Sequence, residues 1–208
     1  MNYLAHLLLA GEDPQAQLGS LLGDFTRGRI EILANSYPAP VIHGISVHRK
    51  IDRFTDDHAD VIRSRRRFSP VRYRFSGIIV DVLHDHLLSV HWDRFANIDR
   101  QRFISRCYSL LNDHRPLLPQ RLQRVAPIMI TQDWLGSYLK LEAVDRVYQR
   151  LSKRIARNNP LAGAMEEVVA HYDELENDFL NFFPDVQSHA AQLNPKRSTT
   201  GTVLLFGD

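Results

Sequence analysis

VRYRFSGIIVDVLHDHLLSVHW, residues 71–92, decides the fold. Phe75, Ile78, Ile79, Val82, Leu83, Leu87 and Val90 recur at three- and four-residue spacings, the period of an α-helix, and cover most of its circumference. A helix apolar on nearly every side must be packed on nearly every side. Residues 71–92 are therefore expected as one long central helix with other helices around it. Its polar residues need partners, because a buried, unpaired carboxylate is costly. Asp81 and Asp85 stand four apart on it. A divalent cation would compensate them, and arginine partners would do so equally well. His84 and His86 flank Asp85 and enrich the donor set. His86 is rotated well away from Asp81, so hydrogen bonding to a neighbouring helix or to substrate is its other reading, and a satisfied core histidine is the plain reading of both.

Working outward, Leu4, Leu7 and Leu8 mark a short helix. A second follows Pro14, a good first-turn residue, through Leu18, Leu21 and Leu22. The prolines in residues 35–40 break the chain before a helix carrying Val41, Ile45, His48 and Asp52 to about Asp56. Beyond the central helix, residues 100–112, 119–131, 141–155 and 160–183 read as helices, and neither a repeat nor strand alternation is visible. The expected fold is an all-α, single-domain helical bundle over residues 1–193. The polar tail from Asn194 is expected to be disordered.

A chain of 208 residues, 44% hydrophobic, suffices for one sizeable core. Lys and Arg total 26 against 24 Asp and Glu, and a net charge of +2 argues against a polycation that coats nucleic acid. The single Cys107 cannot form an internal disulfide, which fits a reducing cytoplasm. Residues 1–10 are apolar but lack a basic start and run into Glu12 and Asp13, unlike a signal peptide. No apolar run approaches the roughly 20 residues that span a bilayer.

HRKID, residues 48–52, sets His48 and Asp52 about 40° apart around a helix, so imidazole and carboxylate can converge on one ion. The same spacing also marks ordinary pairs on solvated faces. GDFTRG, residues 23–28, adds Asp24 between glycines that permit close approach of backbone or phosphate; a bare turn aspartate is the alternative. His6 is a core histidine, a ligand or a group that orients one. Arg63, Arg65, Arg66, Arg67, Arg72 and Arg74 crowd a stretch without an acidic residue. Such a run is commonly a solvated face.

Taken together, MNxLAHL (residues 1–7), LLxDFxRG (21–28), GIxxHRxIDxxTD (44–56), DVxxDHxLSxHW (81–92), QDWL (132–135) and HYDxLE (171–176) resemble, in order, the acyl carrier protein phosphodiesterase family. Its helical fold looks like a distant variant of the HD-type metal phosphohydrolases. The likeness covers about residues 1–185. It implies hydrolysis of the phosphodiester that joins 4′-phosphopantetheine to a serine of acyl carrier protein, with a divalent ion, typically manganese. On that reading Asp24, His48, Asp52, Asp81 and Asp85, with His6, would hold Mn²⁺ or Mg²⁺, ions suited to oxygen-rich ligands. His86 or a free carboxylate such as that of Asp24 would move the proton, and Arg27 and Arg49 would clamp the phosphate. The arginines from Arg63 to Arg74 would meet an acidic carrier protein. No role is assigned to Asp133, His171 or Asp173. Two rivals are a metal phosphohydrolase acting on a nucleotide or small phosphoester, and a non-enzymatic helical binding module with a basic arm.

Overall fold

The protein, seen as a computed structural model, is described over residues 1–155 and 158–194, and no strand occurs among them. Helices α1 (Tyr3–Leu9), α2 (Pro14–Leu22), α3 (Ile30–Leu33) and α4 (Ala39–Asp57) build the amino-terminal part. α5 (Ala59–Arg66), α6 (Pro70–Tyr73), α7 (Ser76–Val90) and α8 (Trp92–Phe95) follow. Then come α9 (Arg100–Asp113), α10 (Gln120–Thr131), α11 (Trp134–Ser137), α12 (Leu141–Arg154), α13 (Ala164–Ala170) and α14 (Tyr172–Leu193). Local chemistry sets several starts. The Asp13 carboxylate accepts from the amides of Gln15 (2.8 Å) and Ala16 (3.3 Å) with Pro14 opening α2, and Asp99 accepts from Arg102 (2.7 Å) at the start of α9.

The all-α expectation holds, and α7 is central. Ile79, Val80, Val82, Leu83, Leu87 and Leu88 are all buried, and the helix packs against α1, α5, α12 and α14. The single long helix of residues 71–92, however, is three. Phe75 (φ −108°, ψ 0°) leaves helical geometry, and the Ser76 hydroxyl donates to the Tyr73 carbonyl at 2.8 Å, closing α6 with a side chain. His91 (φ −99°, ψ 24°) separates α7 from α8. The helix expected over 160–183 breaks at His171 (φ −119°, ψ 22°), and its second half runs on through Pro184 to Leu193. Asn194 is pinned: its amide reaches the Leu9 and Ala190 carbonyls at 3.1 and 3.0 Å, and its oxygen pairs with His43. The rest of the expected tail lies outside the described residues. Cys107 is buried and unpaired, and no helix among the described residues is long and apolar enough to cross a membrane.

The tightest crossing joins α2 to α4. A Cβ on Gly19 would stand 2.0 Å from the Val41 carbonyl oxygen, and one on Gly44 2.0 Å from that of Ala16. Only hydrogen fits at either position, so backbone lies on backbone. One turn further along, a Cβ on Gly23 would overlap the His48 ring at 2.3 Å. The glycine row thus brings the end of α2, where Asp24 follows, onto the face of α4 that carries His48 and Asp52.

Candidate metal centre

Two helices and the turn after α2 supply the centre. His6 comes from α1, which the Ser20 hydroxyl ties to α2 by donating to the His6 carbonyl at 3.0 Å. Its imidazole stacks on that of His48, ring centres 3.8 Å apart and 26° from parallel. Asp52, one turn beyond His48, places one oxygen 2.9 Å from His6 Nε2 and the other 3.0 Å from His48 Nε2. One donor atom from each of the three residues fits within 4.8 Å of the other two. Asp24 Oδ1 stands 3.9 Å from His48 Nε2. The imidazoles are buried, while the side chains of Asp24 (39%) and Asp52 (41%) are partly exposed, so the cluster opens to solvent on its carboxylate side.

The electrostatics suit a cation. Burial, helped by the neighbouring His48, lowers the His6 pKa to about 4, so its ring is neutral at pH 7, the state in which imidazole ligates metal. For Asp52, burial opposes ionisation, but the His48 and His6 imidazoles outweigh it and hold the carboxyl well below the usual range. Burial raises the Asp24 carboxyl. Both ring nitrogens of His6 and Nδ1 of His48 are buried without a hydrogen-bond partner among the described residues. Buried imidazole nitrogens lacking partners are rare, and the close approach of His6 Nε2 to Asp52 is not hydrogen-bond geometry. Two imidazoles and carboxylate oxygens around a shared space are a donor set for a divalent cation, and these residues fit one.

Asp81 and Asp85 part company. Asp81 lies at the rim, 41% exposed, where it accepts a hydrogen bond from the Met1 amino group at 3.0 Å; that group is also 3.7 Å from Asp52. The pKa of the amino group rises to about 10: burial alone would lower it, but Asp81 and Asp52 outweigh burial. Asp85 is fully buried and accepts from the amides of Leu4 (2.8 Å) and Ala5 (3.0 Å), two of the otherwise unmatched first-turn donors of α1. Each oxygen already has a donor, so the geometry gives Asp85 the task of seating α1 rather than of ligating with His48. Burial pushes its carboxyl up to about 7 against the pull of those amides.

The other expected site residues divide similarly. Both ring nitrogens of His86 are engaged, Nδ1 with the Tyr138 carbonyl (2.8 Å) and Nε2 with the Tyr172 hydroxyl (2.9 Å), so proton transfer at the cluster does not fall to it. Arg49 donates to the Gly28 carbonyl at 2.8 Å, where Gly28 takes φ +102°; Arg27 is exposed. In the arginine run, Arg63 Nε (2.7 Å), Arg67 Nε (3.0 Å) and the Ser64 hydroxyl (3.0 Å) all converge on buried Asp178 of α14. Arg72 pairs with Glu167 and Arg65 with Asp56, leaving Arg66 and Arg74 exposed without an ion-pair partner among the described residues. Asp133, in left-handed geometry at φ 46°, accepts from the Gly136 amide and the Tyr108 hydroxyl and starts α11. His171 joins α13 to α14 and Asp173 lies in the first turn of α14. Sequence reasoning missed the Met1 amino group and the stack of Tyr3 on Phe25 (6.1 Å) beside Asp24.

The profile of the family described as "Acyl carrier protein phosphodiesterase" matches residues 1–186. The acyl carrier protein phosphodiesterase of Yersinia pestis is 36% identical over 191 residues, covering 91% of this chain and 97% of that one. That of Serratia proteamaculans is 35% identical, with the same coverage. That of Photorhabdus laumondii is 33% identical, covering 91% of this chain and 95% of that one. No solved structure matches the chain. The chain therefore belongs to the acyl carrier protein phosphodiesterase family.

Proposed function

We propose that the protein hydrolyses holo-acyl carrier protein to the apo form and 4′-phosphopantetheine, using a divalent cation, Mn²⁺ or Mg²⁺, held by His6, His48 and Asp52, with Asp24 left free beside them. The observation that carries the metal reading is the convergence of His6, His48 and Asp52 around imidazole nitrogens with no partner of their own. The substrate reading rests on family membership over nearly the whole chain. A cation so held supplies Lewis-acid charge that polarises the phosphoryl oxygens and lowers the pKa of a coordinated water.

The protein's own groups do the rest. The stacked His6 and His48 rings fix the donor directions, and Gly23 leaves room for the His48 ring. Asp24, raised by burial yet reaching solvent at the open side, would accept the proton of the attacking water. Arg49, aimed by its bond to the Gly28 carbonyl, and Arg27 on the same loop present guanidinium donors to the phosphate. Kinship with the HD-type phosphohydrolases is part of the same proposal and is supported by the helical His/Asp chelate. A protein with one buried free cysteine and no membrane-crossing helix among the described residues suits the cytoplasm, where carrier proteins work.

Intact-mass spectrometry of holo-acyl carrier protein after incubation with the enzyme and Mn²⁺ tests the reading. Loss of the phosphopantetheine mass is expected with the wild type and not with His48→Ala. No loss from a folded, Mn²⁺-binding protein overturns the substrate, and undiminished loss in His48→Ala or under chelation overturns the metal site.

A further inference from the structure

The cations expected from the sequence to meet a partner are largely ion-paired inside the fold, whereas cations with no ion-pair partner among the described residues line another face. Arg121 on α10 and Arg146, Arg150, Lys153 and Arg154 on α12 are exposed, with no ion-pair partner among the described residues. The four on α12 follow one another at intervals of four, three and one residues, which puts them on one stripe of the helix. The acids of α12, Glu142 and Asp145, lie toward its start, and Asp145 takes the Gln149 amide at 2.6 Å.

This face is joined to the metal centre. Arg121 sits over the Phe25 ring, 5.6 Å from its centre; Phe25 follows Asp24 and stacks on Tyr3. The charges of Asp24, Arg154 and Arg121 all bear on the Tyr3 hydroxyl. Further out, Arg150 lies 4.6 Å over the Trp134 ring, and Trp134, Gln132, Arg146, Arg150 and Lys153 line a cleft of about 340 Å³. The Asn2 amide bonds the Tyr138 hydroxyl at 2.5 Å and so fastens the end of α11 to the start of α1. Leu139 beside it is 46% exposed.

We propose that the α10–α12 face, with Arg121, Arg146, Arg150, Lys153 and Arg154 around Trp134 and Leu139, is the surface on which the acidic carrier protein docks to bring its phosphodiester to the metal centre. The inference rests on the carrier-protein reading above. Two features select an acidic helical protein over a nucleic acid. From Arg146 to Arg154 the stripe is about 12 Å long at 1.5 Å per residue, two turns of a partner helix, and the chain as a whole carries only +2. Cations interleaved with Trp134 and an exposed leucine also match an amphipathic helix with carboxylates on its flank.

Fluorescence anisotropy with labelled holo-acyl carrier protein tests the surface independently of turnover. Arg150→Glu/Lys153→Glu is expected to raise Kd at least tenfold at low salt, with the gap closing near 1 M salt, where screening is nearly complete. Arg66→Glu/Arg74→Glu should stay within twofold of wild type. The ratio of kcat/KM on the carrier to that on bis(p-nitrophenyl) phosphate should fall with the first pair, while circular dichroism confirms the fold of both. Equal Kd for the α12 pair and wild type, a larger loss from the Arg66/Arg74 pair, or labelled duplex DNA that binds the face more tightly than the carrier overturns the docking surface. A carrier that binds as expected but is never hydrolysed sinks the activity and leaves the docking surface standing; hydrolysis indifferent to Arg150 and Lys153 does the reverse.

Discussion

Replacing Asp85 by alanine removes the acceptor of two buried amides. Hydrogen bonds to a charged acceptor contribute about 1.5–3 kcal/mol each. Against that stands the burial that lifts the carboxyl to about 7, a cost that disappears with the side chain. The two effects largely oppose each other and leave a net loss of about 1–2 kcal/mol, or roughly 2–8 °C in Tm for a chain of this size. Asp85→Asn should lose about half as much, because its carboxamide oxygen still serves one amide while its NH₂ opposes the other. Metal affinity distinguishes this role from ligation. In Asp85→Asn, Mn²⁺ binding by calorimetry should weaken no more than about tenfold, through loosened support of His6, whereas His48→Ala should abolish it. Urea unfolding and Mn²⁺ titration of the same samples settle the matter. A variant that keeps wild-type stability and loses Mn²⁺ would refute the reasoning and make Asp85 a ligand.

Gly44→Ala forces a methyl group against the Ala16 carbonyl, so α2 and α4 must separate; a stability loss of about 1–3 kcal/mol by urea unfolding is expected, with a fall in turnover. Gly23→Ala meets a ring rather than backbone, and its signature should be Mn²⁺ affinity weakened about tenfold or more, with urea unfolding little changed. His84, stacked against Phe182 at 5.3 Å, is held by burial at a pKa of about 3, against 6.5 unfolded. The unfolded chain therefore binds the extra proton between these values, and stability falls as pH drops below 6.5. At pH 5 the loss is roughly 2 kcal/mol. His84→Leu removes it, so the stability of the variant relative to wild type should improve by that amount between pH 7.5 and pH 5; a change under about 0.5 kcal/mol contradicts the linkage.

The sequence shows the helices whose starts are written locally, such as Pro14 after Asp13, and the apolar winding of α7. It hides the breaks at Phe75, His91 and His171, because apolar spacing continues across each and the turns depend on single dihedrals and a serine hydroxyl. In the centre, the four-residue spacing of His48 and Asp52 is legible, and the motifs around His6 and Asp24 draw both in. Asp81 and Asp85 share that spacing on one helix and look equivalent. They are separated by a contact about eighty residues long-range: the start of α1 arrives with its amino group at Asp81 and its amides at Asp85. Nothing near residue 85 encodes that arrival.

The same physics governs the arginines. Whether a cation is free to meet a partner depends on whether the fold supplies its counter-charge, and that counter-charge need not be a sequence neighbour. A run from Arg63 to Arg74 with no acid inside it looks unpaired, yet Asp178 and Glu167, both about a hundred residues later, fold back onto it. Asp178 is buried beneath Arg63 and Arg67, so removing either arginine would weaken the seating of α14 on α5 before it weakened any encounter with a partner. On α12 the cations follow Glu142 and Asp145, are spaced among uncharged residues, and draw no notice in a linear reading. Helical geometry gathers Arg146, Arg150, Lys153 and Arg154 to one side, and among the described residues the fold brings no acid into ion-pair distance of them. Local charge density therefore points to one face, and the balance of charge in space points to another, the one that adjoins Tyr3 and Asp24.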